Sequence, residues 1–217
     1  MIRLFTGYDD REAIGWHVFC QSVIQHSRVP VAITPISEAV ASDGTNAFSK
    51  ARFLVPAWCD FQGWAIFADG ADMLLRADIA DLWALRDERY AVQVVQHDYT
   101  PKHSRKYIGT AMEADNGAYP RKNWSSLVLW NCGHPDNAPL SSDFIASKPG
   151  SYLHRFSWTK HIGALPEQWN VLDELGKDPD AKLVHYTNGI PAFKHYRNAP
   201  HATEWREKLS GVLNGRQ

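Results

Sequence analysis

The sequence is short of the features that mark secreted, membrane and disulfide-stabilised proteins. It contains three cysteines, Cys20, Cys59 and Cys132, an odd number whose spacing matches no metal-ligand pattern, so we expect reduced core thiols. No apolar run approaches the about 20 residues of a membrane span. The N-terminal residues lead straight into a polar segment, unlike a secretory signal peptide. These absences predict a cytoplasmic protein without a transmembrane segment.

Neither positive nor negative charge predominates in the sequence. The 23 basic and 24 acidic side chains give a formal net charge of −1 at pH 7, and no long basic run interrupts them. The electrostatic footprint of a nucleic-acid-binding protein is therefore absent. We find no internal repeat, low-complexity tract or linker. A chain of 217 residues buries roughly 70% of its extended surface, and we predict one domain over residues 1–217.

Tryptophan is abundant, with nine residues. Tryptophan side chains usually fill the core, but they also form rigid platforms that stack on sugars or bases. We expect most of them in the core. Three that lie beside polar segments of the second half are candidates for such platforms: Trp124, Trp130 and Trp169.

Strand and helix patterns alternate along the chain. The expected strands are 2–5, 31–36, 64–68, 90–96, 125–130 and 182–186, and the expected helices are 13–27, 49–55, 78–85 and 203–213. Ser49 is the expected N-cap of the second helix, with Pro56 bending or ending it. We expect segments 37–47 and 162–170 to be loops, and the polar segment 101–121 to be a mobile active-site loop. This alternation predicts an α/β fold with a mainly parallel central sheet flanked by helices.

Polar residues follow several strands, at the edge where ligands of such sheets bind. They are the segments 6–10, 69–72 and 97–98. Asp69 and Asp72 follow a buried strand, where unpaired charge is costly, and binding a hard divalent cation would explain two carboxylates there. Asp69-Gly70 is equally a favoured pair for a tight turn, so this stretch alone leaves both interpretations open.

Six motifs taken together resemble the GT-A glycosyltransferases, most closely family 8, which includes glycogenin and bacterial lipopolysaccharide galactosyltransferases. They are Thr6-Gly-Tyr-Asp9, Lys50-Ala-Arg-Phe-Leu-Val-Pro56, Phe67–Met73, Asn123-Trp-Ser-Ser-Leu-Val-Leu-Trp-Asn131, Leu165-Pro-Glu-Gln-Trp-Asn170 and His185-Tyr-Thr-Asn-Gly-Ile-Pro191. The resemblance spans roughly residues 2–195. It implies a single GT-A domain that transfers a sugar, with retention, from a nucleoside-diphosphate sugar such as a UDP-sugar to a glycan or other hydroxyl acceptor.

The resemblance also assigns roles to residues. A metal ion, Mn²⁺ or Mg²⁺, would be held by Asp69, Asp72 and His185, and the imidazole favours Mn²⁺. Arg52 offers a planar fork and Lys50 a point charge, while Gly189 allows close approach of backbone to the diphosphate. The full set of expected donor-binding residues is Thr6, Tyr8, Asp9, Lys50, Arg52, Ser125, Ser126, Asn170 and Gly189. The expected catalytic residues are Asp98, Asn123 and Gln168.

The sequence departs from the family pattern in three places. Gly70-Ala71 separates two aspartates that usually stand one residue apart, so either the backbone bulges or Asp72 alone binds the ion while Asp69 contacts ribose. Ile190 replaces a lysine, and segment 158–161 replaces an acidic pair. Two other functions therefore stay open. One is a metal-dependent phosphoesterase or nucleotidyltransferase using Asp69, Asp72, His97 and His185, and the other is a non-catalytic nucleotide- or glycan-binding protein.

Overall fold

A computed structural model describes residues 1–37 and 48–215, so most of the predicted loop 37–47 lies outside the described residues. The strands are β1 (Ile2–Gly7), β2 (Val31–Ile36), β3 (Trp64–Ala68), β4 (Met73–Leu75), β5 (Val92–Val94), β6 (Arg105–Lys106), β7 (Ala114–Asp115), β8 (Leu127–Asn131), β9 (Ile162–Ala164), β10 (Val171–Leu172) and β11 (Leu183–His185). The helices are α1 (Ala13–His26), α2 (Val55–Trp58), α3 (Ile79–Trp83), α4 (Ser142–Ser147), α5 (Gly150–His154) and α6 (Ala202–Asn214). Single turns of 3-10 helix include Asp10–Glu12, Ala51–Leu54, Trp124–Ser126, Pro135–Asn137 and Glu167–Asn170.

The central sheet has six strands in the order β2-β1-β3-β8-β5-β9. Strand β1 pairs in parallel with β2 and β3, and β5 pairs in parallel with β9. Strand β8 runs antiparallel between β3 and β5, so its first residue, Leu127, lies beside Ala68 at the end of β3. This mixed, mostly parallel sheet with helices around it confirms the predicted fold class. A second sheet, β10-β11-β4, continues from the carboxyl end of β3.

Local sequence explains the strands and helices that position the site. Every side chain of β3, Trp64-Ala-Ile-Phe-Ala68, is buried, because helices and loops cover both faces of the sheet. Helix α1 follows a 3-10 turn that Asp9 caps by accepting from the backbone N–H of Arg11. It ends at His26, before Pro30 starts the approach to β2. The predicted strands 2–5 and 31–36 and the predicted first helix are confirmed.

Two local predictions are wrong. Segment 49–55 is a 3-10 turn followed by α2, without a side-chain cap from Ser49, and Pro56 lies in the first turn of α2, where its missing N–H costs no hydrogen bond. Segment 162–170 contains β9 and a 3-10 turn instead of only loop. Its three strand residues are too few for a visible alternation of apolar and polar side chains.

Two apolar cores lie on opposite faces of the central sheet, one around Phe53, Phe67 and Trp130 and the other around Phe19, Ile66 and Trp169. Among the described residues, no helix has both the length and the apolar character needed to cross a bilayer.

Candidate functional site

A cavity of about 500 Å³ opens at the carboxyl end of β3, beside the first residues of β8. Its walls come from the turn after β3, the 3-10 turn before β8, helix α5, segment 106–122 and the end of β11. The lining residues are Ser49, Arg52, Asp69, Asp72, Lys106, Tyr107, Asp115, Asn116, Gly117, Ala118, Tyr119, Lys122, Asn123, Ser125, Ser126, Gly150, Ser151, His154, Arg155, His185 and Thr187.

The turn from Asp69 to Asp72 is held tightly. Gly70 has a φ of +76°, a conformation that favours glycine, and the backbone N–H groups of Ala71 and Met73 donate to the carbonyls of Asp69 and Gly70. Helix α1 packs directly against this turn, since a Cβ atom on Gly15 would overlap the carbonyl oxygen of Ala71. The two intervening residues thus form a bulge that turns both carboxylates toward the cavity.

His185, at the end of β11, completes a buried cluster with Asp69 and Asp72. One ligand atom from each of the three residues lies within 4.8 Å of the other two. Strand β11 pairs with β4, so His185 lies opposite Met73, the residue after Asp72. The antiparallel pairing therefore joins residues that are more than 110 positions apart in the sequence.

A hydrogen-bond chain fixes the orientation of the His185 ring. Ser126 Oγ donates to the carbonyl of Asn123 and accepts from Asn170 Nδ2 at 2.8 Å, which directs Asn170 Oδ1 to His185 Nδ1 at 3.1 Å. The proton of the neutral ring therefore sits on Nδ1, and the Nε2 lone pair faces the aspartates. Metal-binding histidines commonly have this arrangement, in which the other ring nitrogen donates to an oxygen.

The donor set fits a divalent metal ion. Asp72 Oδ1 is buried and has no hydrogen-bond partner in the described structure, although an unpaired buried carboxylate oxygen is costly. Asp69 Oδ1 also lacks a bond of hydrogen-bond geometry, but Arg52 Nη1 lies 2.6 Å from it as an ion pair. Two carboxylates and one imidazole match the ligands of Mn²⁺ and similar ions.

Electrostatics inside the cluster are strongly coupled. Burial raises the pKa of Asp69 to about 6, against the opposing effect of Arg52. Burial also disfavours charge on Asp72 and His185, but their attraction across 3.4 Å prevails, so the pKa of Asp72 is lowered and that of His185 is raised. Charged side chains in a water-poor site with displaced pKa values are typical of functional centres.

Basic side chains surround the cluster. Lys106, Lys122 and Arg155 line the cavity, and Arg155 Nε is buried without a hydrogen-bond partner in the described structure. Burial lowers the pKa of Lys122 to about 8. Lys106 attracts both aspartates, while Lys122 Nζ donates to the carbonyl of Gly117 at 3.0 Å. Three cations in one cavity suit a polyanionic ligand such as a diphosphate.

The far wall of the cavity carries hydroxyl groups. Ser125 Oγ lies 2.7 Å from His154 Nδ1, and Ser49 Oγ lies 3.2 Å from His154 Nε2. Asn123, held at a positive φ of +65°, has a buried Nδ2 without a partner in the described structure. Such donors and acceptors match the hydroxyl groups of a sugar.

Sequence reasoning missed several residues around the site. Lys106 and Tyr107 belong to the polar segment predicted as an active-site loop, which does line the cavity, but no motif singled them out. Glu12, the residue before α1, is another such residue. Both of its carboxylate oxygens are buried without hydrogen-bond partners in the described structure, and burial together with Asp72 raises its pKa well above the usual range.

Of the predicted donor-binding residues, Arg52, Ser125 and Ser126 line the cavity, as does the predicted catalytic residue Asn123. Arg52 differs from expectation, because its guanidinium is buried between two aromatic rings, donates to the carbonyl groups of Ser49 and Ser125, and pairs with Asp69. Asn170 is a buried partner of His185 and does not line this cavity.

Other predicted donor-binding residues lie outside the lining. Thr6 is buried and accepts from Trp16 Nε1 at 2.6 Å, Tyr8 packs edge-on against the same indole, and Asp9 pairs with Arg11. Their role in donor binding stays a prediction. Lys50 is buried but is not part of the lining.

Gly189 has a different structural reason from the one we predicted. A Cβ atom there would lie 2.6 Å from the ring of Tyr196, so the packing of that ring requires glycine. The residue does not line the cavity.

The remaining expected catalytic residues lie elsewhere. Asp98 is exposed and lines a second cavity of about 260 Å³, together with His97 and Asn170. His97 Nε2 contacts the carbonyl oxygen of Asn170, so His97 is not part of the Asp69–Asp72–His185 cluster. Gln168 is exposed and lines neither cavity, because the 3-10 turn directs Trp169 and Asn170 inward and Gln168 outward.

The three tryptophans expected at the sugar site are not in its lining. Trp130 and Trp169 are fully buried in the two cores, and Trp124 donates its indole N–H to the carbonyl of His97. Packing between sheet and helices explains their positions.

Comparison with known proteins places the chain in a family. No family model matches it. Protein CDI of Arabidopsis thaliana is 41% identical over an alignment of 226 residues, and the alignment covers 95% of this chain and 85% of the plant protein. The chain belongs to the Protein CDI family. The name of that family describes no chemical activity.

Solved structures show which fold this CDI-family protein has. The bifunctional glycosyltransferase WbbM superposes with a TM-score of 0.66 at 13% identity, covering 99% of this chain, which spans half of the WbbM chain. The galactosyltransferase LgtC, solved with donor and acceptor sugar analogues, superposes with a TM-score of 0.63 at 12% identity over 100% of this chain and 98% of its own. GlyE of Streptococcus pneumoniae TIGR4 gives 0.61 at 13% identity. The fold is therefore that of the GT-A glycosyltransferases.

Proposed function

We propose that the protein is a metal-dependent glycosyltransferase of the family 8 type, formed by one GT-A domain over residues 1–217. It transfers a sugar, with retention, from a nucleoside-diphosphate sugar, most simply a UDP-sugar, to a hydroxyl group of a glycan or other acceptor. The observation that carries the proposal is the meeting of Asp69, Asp72 and His185 in a cavity, with a buried carboxylate oxygen that lacks a partner. A cytoplasmic location stays a prediction.

The fold supports this chemistry, since LgtC, a galactosyltransferase crystallised with donor and acceptor sugar analogues, has a similar structure. A bound divalent ion would supply Lewis-acid stabilisation to a departing diphosphate. Asp69, Asp72 and His185 would hold it, and the imidazole ligand favours Mn²⁺ over Mg²⁺. The chain itself binds and orients the donor.

The remaining lining residues would contact different parts of the donor. Lys106, Lys122 and Arg155 would neutralise phosphate oxygens, and the Nε of Arg155 has no partner in the described structure. Asn123 Nδ2 and the Ser125 hydroxyl would bind sugar hydroxyl groups.

Thermal-shift measurements test the proposal. We expect UDP and Mn²⁺ together to raise the melting temperature more than the sum of the two separate effects. A screen of nucleotide sugars for Mn²⁺-dependent hydrolysis then identifies the sugar. No response to any nucleoside diphosphate, or Mn²⁺-dependent hydrolysis that survives Asp72→Ala, would contradict the proposal.

One observation favours a second function, a metal-independent nucleotide- or glycan-binding protein. The Arg52 guanidinium already lies 2.6 Å from Asp69 and so supplies part of the positive charge that a metal ion would bring. A melting-temperature rise with UDP that ignores Mn²⁺, with no hydrolysis of any nucleotide sugar, would support this alternative.

A further inference from the structure

A second cluster of metal-ligand side chains lies at the opposite edge of the central sheet. His134, Asp136 and His161 each bring one ligand atom within 4.8 Å of the other two. His134 and Asp136 follow β8, and His161 immediately precedes β9. Strand β8 runs antiparallel to β3, so its five residues put about 17 Å between this cluster and the edge that carries Asp69.

The backbone that carries the cluster is firmly anchored. The buried Asn137 donates through Nδ2 to the carbonyls of Ala91 and Asn131, at 2.9 and 2.8 Å, and its Oδ1 accepts from Trp158 Nε1. The backbone N–H of Ala91 in turn donates to the carbonyl of His161. The two segments that supply the ligands are thus tied together through Ala91 before any ion arrives.

A surrounding hydroxyl group orients the carboxylate. Thr159 Oγ1 donates to Asp136 Oδ2, which also lies 2.8 Å from His161 Nδ1. The other oxygen, Oδ1, lies on the side of His134, 3.9 Å from its Nδ1. Partners of this kind around a ligating carboxylate are typical of built metal sites.

We propose that His134, Asp136 and His161 form a binding site for a first-row transition metal ion, for which Zn²⁺ is the natural probe. Two imidazoles and one carboxylate are ligands that Zn²⁺ accepts, with water in the fourth position. Ligand atoms around tetrahedral Zn²⁺ lie about 3.3 Å apart, given metal–ligand distances of about 2.0–2.1 Å. Rotation of the exposed His161 side chain closes the remaining difference.

Binding replaces two existing contacts. His134 Nδ1 accepts a hydrogen bond of 3.2 Å from the backbone N–H of Asp136, and His161 Nδ1 lies 2.8 Å from Asp136 Oδ2. Coordination bonds from the same three side chains to the ion would offset both losses.

A bound ion would connect an edge strand of the sheet to a neighbouring turn. Strand β9 is the outermost strand beside β5, and it has only three residues. A metal ion shared by His161, His134 and Asp136 would link the start of β9 to the turn after β8. Because the ion binds the folded protein only, it would stabilise this edge.

Zinc stoichiometry tests the site. Metal-stripped full-length protein is dialysed against Zn²⁺, and bound zinc is counted for the wild type, His161→Ala, Asp72→Asn and the control His17→Ala, whose histidine is exposed on α1. We expect His161→Ala to lose one equivalent and His17→Ala to lose none. Asp72→Asn should keep the equivalent that His161→Ala loses. Thr159→Val should lower the affinity of this site for Zn²⁺ about 10- to 100-fold.

Amide exchange gives an independent measurement. Zinc should slow exchange in residues 162–164 of the wild type and of Asp72→Asn, but not of His161→Ala or His134→Gln. Equal zinc content in the wild type and His161→Ala, or protection of β9 that survives both histidine substitutions, would overturn the proposal.

Discussion

The two edges of the central sheet carry the same kinds of side chain in different surroundings. At the carboxyl end of β3, Asp69, Asp72 and His185 are all buried, and Asp72 Oδ1 has no partner in the described structure. At the other edge, Asp136 is half-buried, its carboxylate is hydrogen-bonded, and His161 is exposed. The two clusters thus differ in burial and hydrogen bonding more than in residue type. The first holds charge that needs a ligand, whereas the second is stable without one.

The largest expected effect separates the edges by activity. Asp72→Asn removes a charged metal ligand, and we expect the Mn²⁺-dependent turnover of a nucleotide sugar to fall at least about 100-fold. Asp136→Asn should instead change zinc-dependent stability. The control Asp143→Asn, on α4, should change neither the turnover nor the stability. Initial rates over a series of Mn²⁺ concentrations measure the turnover of all three variants, and unfolding with and without Zn²⁺ measures their stability. Full turnover by Asp72→Asn would remove the distinction between the edges.

The next effect tests the buried charge directly. Arg52→Ala leaves the Asp69 carboxylate buried without its counter-charge, which we expect to cost about 3–5 kcal/mol of unfolding free energy. Urea unfolding with and without Mn²⁺ measures it. Mn²⁺ should recover part of the loss, because Asp69 is then free to bind the ion, and Asp69→Asn in the same chain should recover it without metal.

Arg89→Ala is the matched control. Its ion pair with Asp87 is exposed and screened by solvent, so we expect its removal to change the unfolding free energy little. A similar loss in Arg52→Ala and Arg89→Ala would mean that burial at the carboxyl edge has no special energetic weight.

A smaller effect concerns the orientation of His185. Asn170→Ala removes the acceptor for His185 Nδ1–H, and we expect the affinity for Mn²⁺ in the presence of UDP to fall about 10- to 100-fold. Asn170→Asp keeps an oxygen acceptor and should lose less. Calorimetric titration of both variants distinguishes this role from simple loss of packing, which would weaken the two variants alike.

The smallest effect is a pH dependence. Lys122 has a pKa lowered to about 8 by burial, so its ammonium group is charged below pH 8 and neutral above it. Affinity for the UDP anion should therefore fall as pH rises through about 8, by at most about tenfold per pH unit. Lys122→Arg, which stays charged, should flatten this profile between pH 7 and 9. An unchanged slope in Lys122→Arg would remove Lys122 from the binding wall.

The sequence predicted the parts of the site that follow from strands. Asp69 and Asp72 stand directly after a fully apolar run, so the rule that ligands gather at strand ends indicated them, whereas only the family resemblance joined His185 to them. Strand β8 was predicted too, but its antiparallel direction was not. The sequence of one strand does not show whether its neighbours run parallel or antiparallel to it. That direction is what brings Asn123 and Ser125 to the cavity from the start of a strand.

Tertiary packing decides the positions of several single side chains. Trp130 and Trp169 are aromatic side chains of the kind that stack on sugars, but both are buried in the cores. Gly189 packs against the ring of Tyr196, a contact that the sequence does not show. Lys106, Lys122 and Arg155 could not be selected among 23 basic residues, since their place in the cavity wall depends on how segment 101–122 and helix α5 pack.

Gly15 has a consequence that reaches beyond helix packing. It sits on α1, carries no functional group and would need no contact with any ligand, yet only the missing methyl group lets the Ala71 carbonyl lie where it does. A side chain at position 15 would push the turn that carries Asp69 and Asp72 away from the helix. The ion-size preference of the proposed metal site could therefore change in evolution through position 15, with Asp69, Asp72 and His185 all left intact.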